Sequence, residues 1–278
     1  MEKNLISYGQ HYLEDKKILD LLVLSANLEK TDIVLEVGAG DGRITAQLAK
    51  KVQKVISYEI DTGTQHELEI LSKKFDNIEF VYRNFLQAKN LQHFNKIVSS
   101  LPYQITEPFI EKIKNLSIDT ATLIVGKTFA KNVYINNPQS KLALLTNCFF
   151  YAEYVSDVDK KAFSPPPKTE SAIIILKPKD KSSLLEVPEL FLMRELFEQR
   201  DKKLKNAINE SLIKFYKEKG IFLSKNQSKK ITENYVKNLQ NEDIYLEQMN
   251  NTQVNELYNF LKQIIKKVKI IRNKQRRQ

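Results

Sequence analysis

The sequence predicts an α/β fold, a largely parallel sheet covered on both faces, followed by a smaller all-helical region. Three observations predict it. Apolar runs of strand length alternate with helical periodicity through the first two-thirds of the 278-residue chain, as βαβ units require. A glycine-rich corner, E-V-G-A-G-D-G at 36–42, directly follows the first of these runs. Beyond Pro188 only helical periodicity remains, and the charge rises: residues 1–177 hold 22 Lys and Arg against 21 Asp and Glu, residues 178–278 hold 22 against 13.

Taken in order, the expected strands are D-I-V-L-E-V, K-V-I-S-Y-E-I, I-E-F-V-Y, K-I-V-S-S and T-A-T-L-I-V-G, with helices at 43–51, 63–74 and 107–116 between them. Two further strands, near 152–158 and 171–177, flank the proline cluster S-P-P-P-K and close the sheet with antiparallel pairing. Helical patterns then run through L-F-L-M-R-E-L-F-E-Q, K-L-K-N-A-I-N-E-S-L-I-K-F-Y and V-N-E-L-Y-N-F-L-K-Q-I-I-K-K-V. We therefore expect one domain over residues 1–180 and a basic helical domain over 181–278.

Composition narrows the chemistry. Cys148 is the only cysteine, and His11, His66 and His93 are scattered, so neither a disulfide framework nor a clustered metal site is expected. No stretch approaches the roughly 18 apolar residues that span a bilayer, and the start M-E-K-N-L-I-S-Y-G-Q lacks a signal-peptide core. A cytoplasmic protein without a membrane association, and a monomer, is the expectation. The basic second region fits a polyanion, above all nucleic acid. Its tail from Lys262 to Gln278 carries eight Lys or Arg and no acid, as a basic arm or a frayed helix end would.

Gly38, Gly40 and Gly42 let the backbone turn tightly and approach a ligand where no Cβ intrudes. At the end of the second strand, Glu59 is placed to accept hydrogen bonds from two ribose hydroxyls, with Asp61 as its nearby competitor. The spacing is G-x-G-x-G rather than the dinucleotide-binding G-x-G-x-x-G. Glu36, two residues before the first glycine, would be of little use to a pyrophosphate but compatible with the cationic end of S-adenosylmethionine. A methyl donor is favoured over a nicotinamide cofactor.

The fourth strand ends in S-S-L-P-Y, at the edge where open α/β sheets bind ligands. An exocyclic adenine amine is a poor nucleophile because its lone pair is delocalised into the ring. Ser100 Oγ and the Leu101 carbonyl are candidate acceptors for its N–H groups, Pro102 fixes the turn without offering an N–H, and Tyr103 is placed to stack on the base. Such stacking is worth roughly 1–3 kcal/mol per base, comparable to the cost of unstacking a target nucleotide.

Several segments in the right order resemble the small-subunit ribosomal RNA adenine dimethyltransferases, particularly their archaeal and eukaryotic branch. G-Q-H-Y-L at 9–13 is similar to the family's G-Q-N/H-F-L, whose third and fifth residues contact the donor, which implies His11 and Leu13. The glycine corner matches the donor loop and Glu59 the ribose acid. F-S-P-P-P-K at 163–168, followed by T-E-S-A, resembles the loop whose aromatic sandwiches the target base, which implies Phe163. F-E-Q-R at 197–200 resembles the start of the family's helical domain. The resemblance implies a Rossmann-like class I methyltransferase sheet, S-adenosylmethionine as methyl donor without a metal, and small-subunit ribosomal RNA or its precursor particle as partner. It implies methylation of adenine N6, with two adjacent adenines dimethylated.

The chain departs from that pattern twice. R-N-F-L stands where the family has G-D-A-L, so Asn84 replaces the acid that contacts the donor's adenine, and Ser100 stands where the family writes Asn in N-L-P-Y. These departures motivate a second reading, an RNA-binding ribosome-assembly factor of the same fold with weak or lost catalysis. A third, ranked lower, is an antibiotic-resistance methyltransferase acting on large-subunit RNA.

Overall fold

A computed structural model describes residues 10–237 and 243–275, with the side chains of 234, 237 and 266–275 outside that description. Gly9 of G-Q-H-Y-L and the side chains of the basic tail beyond Ile265 thus lie outside the described residues. The chain divides into two compact units. Residues up to Ile135 together with Phe150–Pro178 form the first, and Asn136–Phe149 with the chain from Lys179 onward forms the second. The segment Asn136–Phe149, which the sequence places in the first domain, clusters with the helices instead.

In the first unit the strands are β1 (Tyr12–Leu13), β2 (Ile33–Val37), β3 (Lys54–Glu59), β4 (Ile78–Tyr82), β5 (Lys96–Ser100), β6 (Thr120–Gly126), β7 (Phe150–Val158), β8 (Phe163–Ser164) and β9 (Ser171–Pro178). Seven of them form one sheet in the order β4-β3-β2-β5-β6-β9-β7. Strands β2 to β6 run parallel, and β9 pairs antiparallel with both β6 and β7. From β2 the chain winds outward through β3 to β4, then returns to the other side of β2 for β5 and β6. The carboxyl ends of β2 and β5 therefore border a crevice, the topological switch point at which such sheets take ligands.

The strands are apolar because helices cover them. Val34, Leu35, Val55, Ile97, Val98 and Leu123 are fully buried. Helices Lys16–Ser25 and Arg43–Ala49 supply Leu22 and Leu48 to one cluster with Val34, Val55, Val98, Val158 and Ile173. At the amino ends of the strands, away from the crevice, a buried Lys96 Nζ lies 2.9 Å from Asp32, and Asn95 bridges Asp32 to Ile33.

The second unit is helical. Pro188–Glu198, Leu204–Glu218, Lys225–Lys237 and Asn251–Gln275 join Lys141–Phe149. Leu192, Ile208, Leu212, Val254 and Leu257 are wholly buried, and Phe191 packs on Phe215 with ring centroids 5.5 Å apart. The helix Lys225–Lys237 has no counterpart in the sequence reading, because its K-N-Q-S-K-K start shows too few apolar residues for the periodicity to stand out.

Candidate active site

The glycine corner connects β2 to the helix Arg43–Ala49. Gly38, Gly40 and Gly42 all take positive φ, +86°, +55° and +79°, a region that a side chain makes costly. They do different work. A Cβ on Gly40 would meet the Tyr12 ring at 3.1 Å, whereas one on Gly42 would meet Leu71 at 2.9 Å. Gly42 thus serves the packing of the helix Gln65–Lys74, and Gly38 and Gly40 are the two glycines that line the cavity.

Glu59 closes this loop from β3. Its Oε2 accepts from Gly40 N–H at 2.8 Å, and its Oε1 accepts from the N–H groups of Ile60 and Asp61, each at 2.8 Å. A carboxylate offers about four lone-pair positions, so about one remains, on Oε2, in a residue that lines the cavity. Asp61 is not in the cavity wall. It caps the turn after β3 by accepting from Gly63 N–H and takes a bond from Gln10 Nε2 at 3.0 Å.

Glu36 corrects an expectation. Rather than facing a cationic ligand, it is completely buried beneath the loop and absent from the cavity wall. Its Oε2 accepts from Thr45 Oγ1 at 2.5 Å and Ser57 Oγ at 2.7 Å. Burial pushes its carboxyl up to about 8 against the pull of those two hydroxyls, so it is largely neutral near pH 7. It acts as a tie between the helix after the loop, β2 and β3.

The turn after β4 forms the next wall. Asn84 Oδ1 accepts from Leu86 N–H at 2.9 Å. The oxygen expected to receive a ligand's amine thus already spends one of its two lone pairs on capping the turn, which leaves it one further position beside the two donors of the amide NH₂. Across the turn, Lys112 Nζ donates to the carbonyls of Phe85, Leu86 and Ala88 at 2.6, 3.2 and 2.6 Å. It also lies 4.7 Å from the centre of the Phe85 ring. Desolvation lowers the Lys112 pKa. Lys112 sits in the helix Thr106–Ile113 that follows S-S-L-P-Y, so one ammonium joins two walls.

S-S-L-P-Y itself splits by side. Ser99 Oγ is buried and donates to Val37 O at 2.6 Å, whereas Ser100 points the other way and lines the cavity with Leu101, Pro102 and Tyr103. The Leu101 N–H is spent on Ile124 O at 3.0 Å. Tyr103 Oη lies 2.6 Å from Ser171 Oγ, and burial raises its pKa despite bonds to Ser171 and Thr169.

A short ribbon completes the enclosure. β1 pairs antiparallel with β8, Tyr12 opposite Ser164 and Leu13 opposite Phe163. His11 Nδ1 lies 2.7 Å from the carbonyl of Pro165; a carbonyl only accepts, so this nitrogen carries the proton. The His11 and Tyr103 rings are 6.4 Å apart. Leu13 is the expected residue that the large cavity excludes. Its side chain is buried in the core, and its carbonyl accepts from Arg43 Nη1 at 3.3 Å.

The result is one cavity of about 330 Å³ whose wall includes His11, Gly38, Gly40, Glu59, Asn84, Ser100, Leu101, Pro102, Tyr103 and Phe163. Residues from seven separate stretches of sequence meet there. Gln10, Tyr12, Ile60, Phe85 and Leu86 also contribute, and none was singled out from the sequence. Gln10 and Tyr12 could have been found through their neighbours in G-Q-H-Y-L. Ser171, which supports the wall, lies in the T-E-S-A stretch that follows F-S-P-P-P-K, whereas Lys112 carries no local signal.

A family model, ribosomal RNA adenine dimethylase, matches residues 1–253. The chain belongs to this family. Among members of the ribosomal RNA adenine dimethylase family, the probable ribosomal RNA small subunit methyltransferase A of Methanococcus aeolicus is 36% identical over 211 residues, 73% of this chain and 78% of that one. Ribosomal RNA small subunit methyltransferase A of Thermotoga maritima is 32% identical over 221 residues, 78% and 77% of the two chains. The crystal structure of a dimethyladenosine transferase from Plasmodium falciparum superposes with a TM-score of 0.60 at 24% identity, covering 90% of this chain and 96% of that one. That of the 23S rRNA methyltransferase ErmE gives 0.58 at 25% identity, covering 90% and 99%. The sheet of this dimethylase-family chain is thus the Rossmann-like class I methyltransferase sheet.

Proposed function

We propose that this chain methylates adenine N6 in small-subunit ribosomal RNA, with S-adenosylmethionine as donor, carrying two adjacent adenines to the dimethyl state during ribosome biogenesis in the cytoplasm. The observation that carries the proposal is the sharing of a single cavity by the glycine corner with Glu59 and by S-S-L-P-Y with Phe163. Relatives named small subunit methyltransferase A support that subunit over the large one.

The residues present fit the donor. Gly38 and Gly40 offer backbone without Cβ, Glu59 keeps about one lone-pair position on Oε2 for a ribose hydroxyl, and Ile60, Phe85 and Leu86 supply an apolar bed for an adenine ring. When bound, S-adenosylmethionine supplies an electrophilic methyl group. The chain's own part is to prepare the acceptor. Ser100 Oγ and the Leu101 carbonyl accept the N–H groups of the target amine and draw its lone pair out of conjugation. Tyr103 and Phe163 hold the flipped base, and an aromatic face stabilises the positive charge that develops on nitrogen. No buried base is needed, since the methylated nitrogen is acidic enough to lose its proton to water.

A tritiated-donor assay on immature small subunits tests this. Label should enter the RNA with the wild-type chain and drop to background with Tyr103→Ala; equal labelling by both would refute the assignment. One observation favours the assembly-factor reading. Asn84 Oδ1 already bonds to Leu86 N–H, which weakens the donor subsite, and calorimetry with S-adenosylmethionine separates the two, since micromolar binding counts against that reading.

A further inference from the structure

Phe222 is 88% exposed, far more than any other large apolar side chain among the described residues of the helical unit. It stands in the connection between the helices Leu204–Glu218 and Lys225–Lys237. That connection is closed at both ends. Gly220, at φ +69°, ends the first helix, with its N–H on Lys217 O at 2.9 Å and Ile221 N–H on Tyr216 O at 2.8 Å. The second helix is entered through a reciprocal cap: Ser224 N–H donates to Gln227 Oε1 at 2.9 Å and Gln227 N–H to Ser224 Oγ at 3.3 Å. Ile221 and Leu223 are half-buried, so the ring between them is held outward.

The charge around the ring is one-sided. Residues 214–230 contain six Lys and one Glu. Lys214 and Lys219 are engaged by Glu195 and Glu186. Lys217, Lys225, Lys229 and Lys230 are exposed and make no ion pair among the described residues. Lys225 and Lys229 lie four residues apart, on one helix face. Among the described residues of the helical unit the other exposed large apolar side chain is Val187, at 40%, and a lone ring is too small a patch for a protein interface and lacks the broad apolar stripe that a membrane surface requires. A π-face among unpaired cations is the chemistry that takes single-stranded nucleic acid, phosphates on the lysines and a base on the ring.

We propose that this connection is an RNA contact, in which Phe222 stacks on an unpaired base and Lys217, Lys225, Lys229 and Lys230 receive the neighbouring phosphates. The inference rests on the RNA-substrate reading above and adds the place on the helical unit where RNA is gripped.

Fluorescence anisotropy with the full chain tests it, using a labelled single-stranded oligoribonucleotide of about 16 nucleotides, near the upper site size of one single-strand-binding module, and a blunt duplex of the same length. Phe222→Ala should weaken single-strand binding about tenfold, leave duplex binding within about twofold, and leave the salt slope unchanged, with Phe222→Tyr restoring affinity. Replacing Lys225 and Lys229 with Ala should lower the salt slope by about 0.7 for each phosphate released. Single-strand binding by Phe222→Ala within about twofold of wild type, or equal loss on both probes, overturns the proposal. Binding is read without methyl transfer, so an inactive wild-type chain that still shows the Phe222 effect would sink the catalytic reading and leave this one standing.

Discussion

Tyr103 Oη and Ser171 Oγ stand 2.6 Å apart, so the ring proposed to stack on the target base is held by the first residue of β9. Ser171 is fully buried, and its bond leaves Tyr103 little freedom to swing. Tyr103→Phe and Ser171→Ala should each lower kcat/KM by about three- to tenfold, as loss of one hydrogen bond does. The double variant should be no worse than Tyr103→Phe alone, because that change already removes the bond to Ser171 along with the one to Thr169. Steady-state kinetics on immature small subunits would show additive losses if the bond did not orient the ring.

Lys112 satisfies three carbonyls of the turn that carries Asn84. Lys112→Met keeps most of the stem and removes the donor. It should weaken binding of both S-adenosylhomocysteine and adenosine by about tenfold, the scale of hydrogen bonds to a charged group, with Lys112→Arg intermediate. Calorimetry reads this directly. Unchanged affinity together with a lower melting temperature would reduce Lys112 to a structural role.

Asn84→Asp should strengthen donor binding. One carboxylate oxygen would cap Leu86 N–H as Asn84 Oδ1 does now, and the second would accept from the donor's adenine amine. Charge-assisted bonds are roughly twice as strong as neutral ones, which corresponds to a gain of about fivefold. A decrease in affinity would show that Asn84 reads the adenine as a hydrogen-bond donor.

The buried carboxyl of Glu36, pushed up to about 8 by desolvation, sets a pH dependence of stability. Its ordinary value is about 4.3, so the unfolded chain releases this proton while the folded chain holds it. Between roughly pH 4.3 and 8 the unfolded state binds fewer protons and stability falls as pH rises; above that window the cost is constant. Glu36→Gln keeps an acceptor for Thr45 and Ser57 and should flatten this slope, raising the melting temperature at pH 8 more than at pH 5. Parallel pH profiles for the two proteins would contradict the assignment.

The strands were legible because each is a short apolar run bounded by polar turns, and Gly38, Gly40, Glu59 and Ser100 because they sit at strand ends, where the topology of an open sheet makes position predictive. What escaped is long-range or depends on burial. Lys112 reaches back 27 residues to Phe85 and Tyr103 reaches 68 forward to Ser171, separations with no local pattern. Glu36 looked like a ligand-facing acid because spacing reports its neighbours in sequence and says nothing about the cover of Thr45 and Ser57. Leu13 matched a motif; its side chain packs in the core, while the residue borders a small pocket beside Gly38, Gly40 and Ser100, a division that a motif does not show. The β1–β8 ribbon pairs two residues with two, too few for alternation to register.

The central claim is that a donor and a flipped adenine meet in the cavity bounded by Gly38, Glu59, Ser100, Tyr103 and Phe163. Mass spectrometry of ribosomal RNA from immature small subunits, incubated with the chain and S-adenosylmethionine, tests it most directly. The account predicts a mass gain of two methyl groups on each of two adjacent adenines, absent with Tyr103→Ala. RNA that gains no methyl group with the wild-type chain, or that gains as much with Tyr103→Ala, would contradict it.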